Sequence, residues 1–214
     1  MKRTLTVTLL LVTVVLLLCL SSCNQAAIEI SPFNYLPDTY EIVYAIYYPE
    51  EGITNLVTAG RDANGVLYYR DTQGNETVYV PVEDPDNPNA ACYIPHYYSG
   101  ETGEWTTGNK VYSSSRRSFD DCYKAAHNAA VQGGSYEKIE SLNLPEGSDT
   151  DLIFLDAERF EYYLVTESGG STFEAAVEKG TGICFYAHFD DHSFSVVKYN
   201  DAYEGSYADL LPEE

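Results

Sequence analysis

The sequence predicts an α+β fold, an antiparallel β meander with one main helix packed on it, and three observations lead there. From Glu41 onward, short runs rich in Tyr, Val, Ile and Thr alternate apolar with polar residues, and clusters of Gly, Asn and Asp separate them. A single segment beginning at Ser118 carries apolar residues at helical spacing. No long linker or strict internal repeat interrupts residues 41–200, so they read as one domain.

The elements follow in order. Glu41 to Tyr48 is the first strand, with Ile42, Tyr44, Ile46 and Tyr48 on one face. Asn55 to Gly60 turns through Arg61 to Gly65 into Val66 to Arg70, and Asp71 to Asn75 leads into Glu76 to Val82. Tyr93 to Tyr98 and Trp105 to Tyr112 are two further strands around Ser99 to Gly103; Pro95, which has no N–H to donate, puts its strand at an edge or a bulge. Ser118 caps the one helix, with Phe119, Cys122, Tyr123 and Ala126 along its apolar stripe before Gly133 and Gly134. Strands resume at Asp151 to Leu155 and Phe160 to Thr166. Phe173 to Lys179 reads as a half-solvated strand, with a short helix as the rival because Glu, Ala and Lys are good helix formers. Ile183 to Phe189 and Phe194 to Tyr199 close the sheet, and the acidic tail 201–214 is expected to be loosely held.

Charge narrows the function. The 214 residues carry 12 basic and 33 acidic side chains, a balance of −21 that excludes nucleic-acid binding by phosphate neutralisation. Aromatic usage is lopsided, with 20 Tyr against 8 Phe and 1 Trp, and rings with a polar tip suit surfaces that are apolar on one side and wet on the other.

The N-terminus reads as an address. Lys2 and Arg3 precede a mostly apolar run from Thr4 to Leu20, the charged and apolar regions of a secretory signal. Leu20-Ser21-Ser22-Cys23 resembles the bacterial lipobox, which implies cleavage after residue 22 and a diacylglyceryl group on Cys23. More than one acyl chain on that cysteine, palmitate for example, holds a protein firmly where a single chain binds only marginally. The expected organisation is therefore a signal peptide 1–22, a lipidated tether 23–40, the domain 41–200 and the tail 201–214. The protein would face outside the cytoplasm, anchored to the bacterial cell membrane. Cys92, Cys122 and Cys184 remain in the mature chain; an oxidising compartment allows one disulfide among three pairings and leaves one thiol, which reads as a buried structural cysteine.

The segments Thr58 to Arg70, the Gly74 hairpin to Tyr79, Val177 to Phe185 and Phe194 to Tyr199 resemble uncharacterised bacterial lipoproteins of the LolA/LppX-like superfamily. That resemblance implies a strongly curved antiparallel sheet, an incomplete barrel, closed on its concave side by helical segments over an apolar cavity that accepts acyl chains. The strong negative charge argues against an anionic lipid cargo.

Motifs for chemistry are weak. His188, Asp190, Asp191 and His192 are the best metal-like cluster, but on a strand their side chains do not all share a face, so an acidic hairpin turn is the simpler reading. Asp84, Asp86 and Asn89 resemble a calcium loop interrupted by Pro88, and read as a solvated loop. Gly103 to Lys110 lacks the Gly-Lys adjacency of a phosphate loop, and Arg116 with Arg117 reads as a surface pair. No catalytic residue, metal or cofactor is therefore assigned. The leading expectation is a non-enzymatic envelope protein binding a hydrophobic or amphipathic ligand, a small molecule or lipid, on its sheet through Tyr44, Tyr68, Trp105, Phe185 and Phe189. The alternatives are a protein-interaction module using exposed Tyr-rich loops, and a carbohydrate-active or metal-dependent hydrolase.

Overall fold

The computed structural model describes residues 36–112, 135–148, 155–167 and 169–213. The chain divides into two units, Met1–Ser31 and Pro32–Glu214, and every described residue belongs to the second. Cys23, Cys122, the expected helix from Ser118 and most of the expected strand from Asp151 lie outside the described residues.

Those residues form an almost entirely β structure, which corrects the α+β expectation: among them the one helical element is a 3₁₀ turn, Tyr207–Leu210. The described residues carry twelve strands: β1 (Tyr40–Tyr48), β2 (Ile53–Arg61), β3 (Leu67–Arg70), β4 (Glu76–Val82), β5 (Cys92–Tyr98), β6 (Trp105–Thr107), β7 (Val111–Tyr112), β8 (Ser135–Ile139), β9 (Phe160–Thr166), β10 (Thr172–Glu178), β11 (Cys184–His188) and β12 (Ser193–Asn200). They make one antiparallel sheet in the order β6-β5-β4-β3-β2-β1-β12-β11-β10-β9-β8, with β7 also on β5. Two sequential meanders, β1 to β6 and β8 to β12, are thus joined by one long-range pair, β1 with β12.

Alternation along the strands builds the core. Ile42, Tyr44 and Ile46 face Ala59, Val57 and Asn55 on one side, and Tyr199, Val196 and Phe194 on the other. Phe185, Ala187, Phe173, Ala175 and Val165 continue the same cluster. Ala175 and Ala176 are both fully buried, so β10 is covered on both faces. That is why this stretch of helix-forming residues is a strand: it lies between β9 and β11, where the sheet supplies the backbone partners.

Pro95 explains a second difference. The stretch from Trp105 to Tyr112, expected as one strand, is split into β6 and β7, which pair with β5 on either side of Pro95. Gly108 donates its N–H to the Pro95 carbonyl at 2.8 Å, and the proline has no N–H to return to the same side, so the ladder breaks there.

The second face of the β2 to β6 region carries a smaller cluster of Val66, Val78 and Tyr207, flanked by Tyr68, Val80, Trp105, Tyr203, Ala208 and Leu211. The tail expected to be loose is seated here. Tyr207 is 2% exposed and stacks between Tyr68 and Tyr203, with ring centroids 4.7 and 4.5 Å away. Its backbone N–H donates to Oδ2 of the buried Asp62 at 3.0 Å. Gly60 leaves room for this ring, since a Cβ there would overlap the Tyr207 hydroxyl.

Candidate functional site

Two hairpins and the C-terminal turn enclose an open cleft of about 410 Å³, lined by Arg70, Gln73, Gly74, Glu76, Tyr98, Gly100, Trp105 and Leu210. Register builds it. Arg70 pairs with Glu76, Glu76 with Tyr98, and Tyr98 with Trp105, so four successive strands set these side chains in one row on one face. The Arg70 Nε lies 3.7 Å from Glu76 Oε1. The rings of Tyr98 and Trp105 are 5.3 Å apart and tilted by 47°.

Both hairpin tips are held by their own hydrogen bonds, the first through a side chain and the second through the backbone. Asp71 Oδ1 accepts the N–H groups of Gln73 and Asn75, each at 2.9 Å, and Gly74 takes the left-handed conformation at φ +79°. In the second hairpin Ser99 N–H donates to the Glu104 carbonyl at 3.0 Å, and Gly103 N–H to the Ser99 carbonyl at 2.8 Å. The tips then meet, because Gly100 N–H donates to Asn75 Oδ1 at 3.1 Å. A Cβ on Gly100 would lie 2.5 Å from the Gln73 carbonyl oxygen, so the approach depends on glycine.

The five expected ligand residues do not converge. Tyr44 and Phe185 are buried in the large cluster, and Phe189 packs against it, 4.8 Å from Phe173 and 4.9 Å from His192. Tyr68 belongs to the smaller cluster, its hydroxyl pushed above the usual tyrosine range by burial and then by Glu76. Of the five, Trp105 lines the cleft. The residues missed from sequence alone are Arg70, Gln73, Glu76, Tyr98 and Leu210. Arg70 and Glu76 flank one turn directly, and Tyr98 and Trp105 bracket the other, which is the signal that marks them.

Two loops set aside as motifs pair with each other. Asp84, expected to be solvated, is 4% exposed; its Oδ2 accepts the Tyr112 hydroxyl at 2.7 Å and its Oδ1 lies 3.0 Å from Lys110 Nζ. The Tyr112 hydrogen bond, then Lys110, hold this carboxyl below its usual range. His188 Nδ1 lies 3.1 Å from the Asn143 carbonyl, and His192 Nδ1 lies 2.6 Å from Asp191. Among the described residues no group of three or more His, Cys, Asp or Glu side chains is arranged to hold a metal ion. Cys92 and Cys184 are buried free thiols.

No protein-family model matches the chain, and no curated protein matches it. Among solved structures, one of MucB is similar at a TM-score of 0.37 and 9% identity, over 82% of this chain and 57% of that one. MucB in complex with MucA(peri) is similar at the same TM-score and identity, over 82% and 54%. The chain therefore spans little more than half the length of MucB.

Proposed function

We propose that this protein is exported, tethered to the outer side of a bacterial cell membrane through a lipid on Cys23, and binds an amphipathic ligand in the cleft between its two hairpins without catalysing a reaction. The lipobox-like Leu20 to Cys23 supports the tether. The observation that carries the binding role is the row Arg70, Glu76, Tyr98 and Trp105, which puts aromatic surface and hydrogen-bonding groups side by side in an open cleft. Among the described residues the cleft is lined by one carboxylate, Glu76, paired with Arg70, and this supports binding over two-carboxylate hydrolysis. Its polar walls favour an amphipathic ligand over a wholly apolar one, because an acyl chain there would strip water from charged groups without replacing their hydrogen bonds.

Native mass spectrometry of the full-length chain, purified in detergent from a bacterial host and exposed to an extract of that host's envelope, tests both parts. The expected spectrum carries the diacylglyceryl mass on the protein, absent in Cys23→Ser, and a non-covalent adduct that Trp105→Ala loses. An unmodified cysteine counts against the tether; no adduct under conditions that preserve weak complexes counts against the binding role.

A further inference from the structure

The chemistry of the cleft narrows the ligand class. Its walls offer donors from the Arg70 guanidinium, the Gln73 amide and the Trp105 indole, and acceptors from Glu76, Gln73 and the Tyr98 hydroxyl. Leu210 is the one aliphatic side chain among them, 44% exposed at the rim. Arg70 and Glu76 oppose each other at 3.7 Å, so the row presents polar groups with no local net charge. Trp105 and Tyr98 are both half-buried, packed on one side and open on the other.

From this geometry, and resting on the binding role proposed above, we infer that the ligand is a neutral oligosaccharide of pyranose units. A pyranose has a face of C–H groups and an edge of hydroxyls. The first matches the Trp105 and Tyr98 rings, and the second matches paired donors and acceptors that a single charge or a hydrocarbon chain leaves unsatisfied. Acidic polysaccharides are disfavoured twice. Glu76 already balances the guanidinium charge, and the chain as a whole carries −21. A cationic ligand drawn to the aromatic faces meets Arg70 beside them. The cleft also sits at the β6 end of the sheet path and is open to solvent.

The molecule supplies its own reporter, because Trp105 is the single tryptophan of the chain and lines the cleft. The full-length protein, held in a polyoxyethylene detergent that has no sugar headgroup, is titrated with maltotetraose, with the tetramer of N-acetylglucosamine, with a polyuronate and with 6-bromohexanoate, a short acyl quencher of indole emission. The expected result is a saturable change of Trp105 emission with at least one neutral tetrasaccharide and none with the polyuronate. Arg70→Ala and Glu76→Ala, which keep the reporter, are each expected to weaken that affinity at least tenfold, with near-ultraviolet circular dichroism confirming that they fold. Saturation by bromohexanoate alone overturns the saccharide assignment and leaves the amphipathic-ligand reading standing. Undiminished saccharide affinity in both variants overturns the assignment to this cleft, and a flat response to every probe overturns the ligand class and the binding role together.

Discussion

Gly60→Ala tests how the C-terminal turn is held. Gly60 lies in the ordinary strand β2, where alanine is normally the better residue by roughly 0.5–1 kcal/mol because it loses less backbone entropy. Here the added methyl collides with the ring of Tyr207, since a Cβ of ideal geometry falls 2.7 Å from Cε2 and closer still to the hydroxyl end. The ring cannot tip out of its plane, since Tyr68 and Tyr203 stack on it with centroids at 4.7 and 4.5 Å, and the bond from its backbone N–H to Asp62 resists sliding within that plane. Relief therefore requires the turn to lift. Losing a buried aromatic side chain costs about 3–5 kcal/mol, which bounds the effect, and partial retention of the stack brings the expected destabilisation to about 2–4 kcal/mol. Equilibrium urea unfolding of the full chain measures it, and proteolysis of the tail checks where it acts. The deciding sample is the double variant Gly60→Ala/Tyr207→Ala. With the ring gone the three nearest contacts of the methyl are gone too, so the double variant should be no less stable than Tyr207→Ala alone, a coupling of about 2–4 kcal/mol against additivity. Costs that add to within about 0.5 kcal/mol would refute the reasoning.

Further outcomes follow from the same geometry. Gly100→Ala drives a Cβ against the Gln73 carbonyl and should destabilise the chain by about 1–3 kcal/mol while weakening the Asn75 bond between the hairpin tips, which urea unfolding and amide exchange at Gly100 will register. Asp84 has a carboxyl held below its usual range in the folded state, so its contribution to stability is complete above about pH 4 and is lost as the pH falls through the folded value; Tyr112→Phe, which removes the largest cause, should raise that carboxyl, and a carbon-detected NMR titration that finds it unmoved rejects the assignment. Burial pushes the Cys184 thiol up to about 12 and takes it out of solvent, so iodoacetamide should spare it in the native chain and label it in urea, as peptide mapping can establish.

How far the fold was legible depends on whether the information was local. Alternation at Ile42, Tyr44 and Ile46, and the Gly, Asn and Asp turns at Arg61 to Gly65 and Asp71 to Asn75, mark strands and hairpins because period and turn chemistry act over a few residues. β8 is not legible in its sequence, Ser-Tyr-Glu-Lys-Ile, since a five-residue edge strand with one paired side shows little alternation. The α+β class followed from treating one helical stripe as half of a two-layer structure, whereas among the described residues the second face beneath β2 to β6 is covered by Tyr203, Tyr207 and Leu211 from the tail. Composition pointed the other way there: an acidic stretch reads as solvated, and a seat specified by a missing Cβ at Gly60 has no signature in the tail itself. The site was legible in halves. Each turn fixes its own pair, Arg70 with Glu76 and Tyr98 with Trp105, but the pairing of Glu76 with Tyr98 that makes them one row belongs to the register of β4 on β5.

The union of β1 with β12 sets a timetable for the chain. Lys198 reaches Glu41 across 157 positions, and the free flank of the earliest strand finds its neighbour only when Ser193–Asn200 has been released from synthesis. Until then that strand offers a bare row of backbone donors and acceptors, open to capture by other polypeptides. Each half can zip up hairpin by hairpin on its own, but their seam is a late event, and a substitution at Val196, which pairs with Tyr44 across it, should therefore hasten unfolding far more than it slows the first collapse.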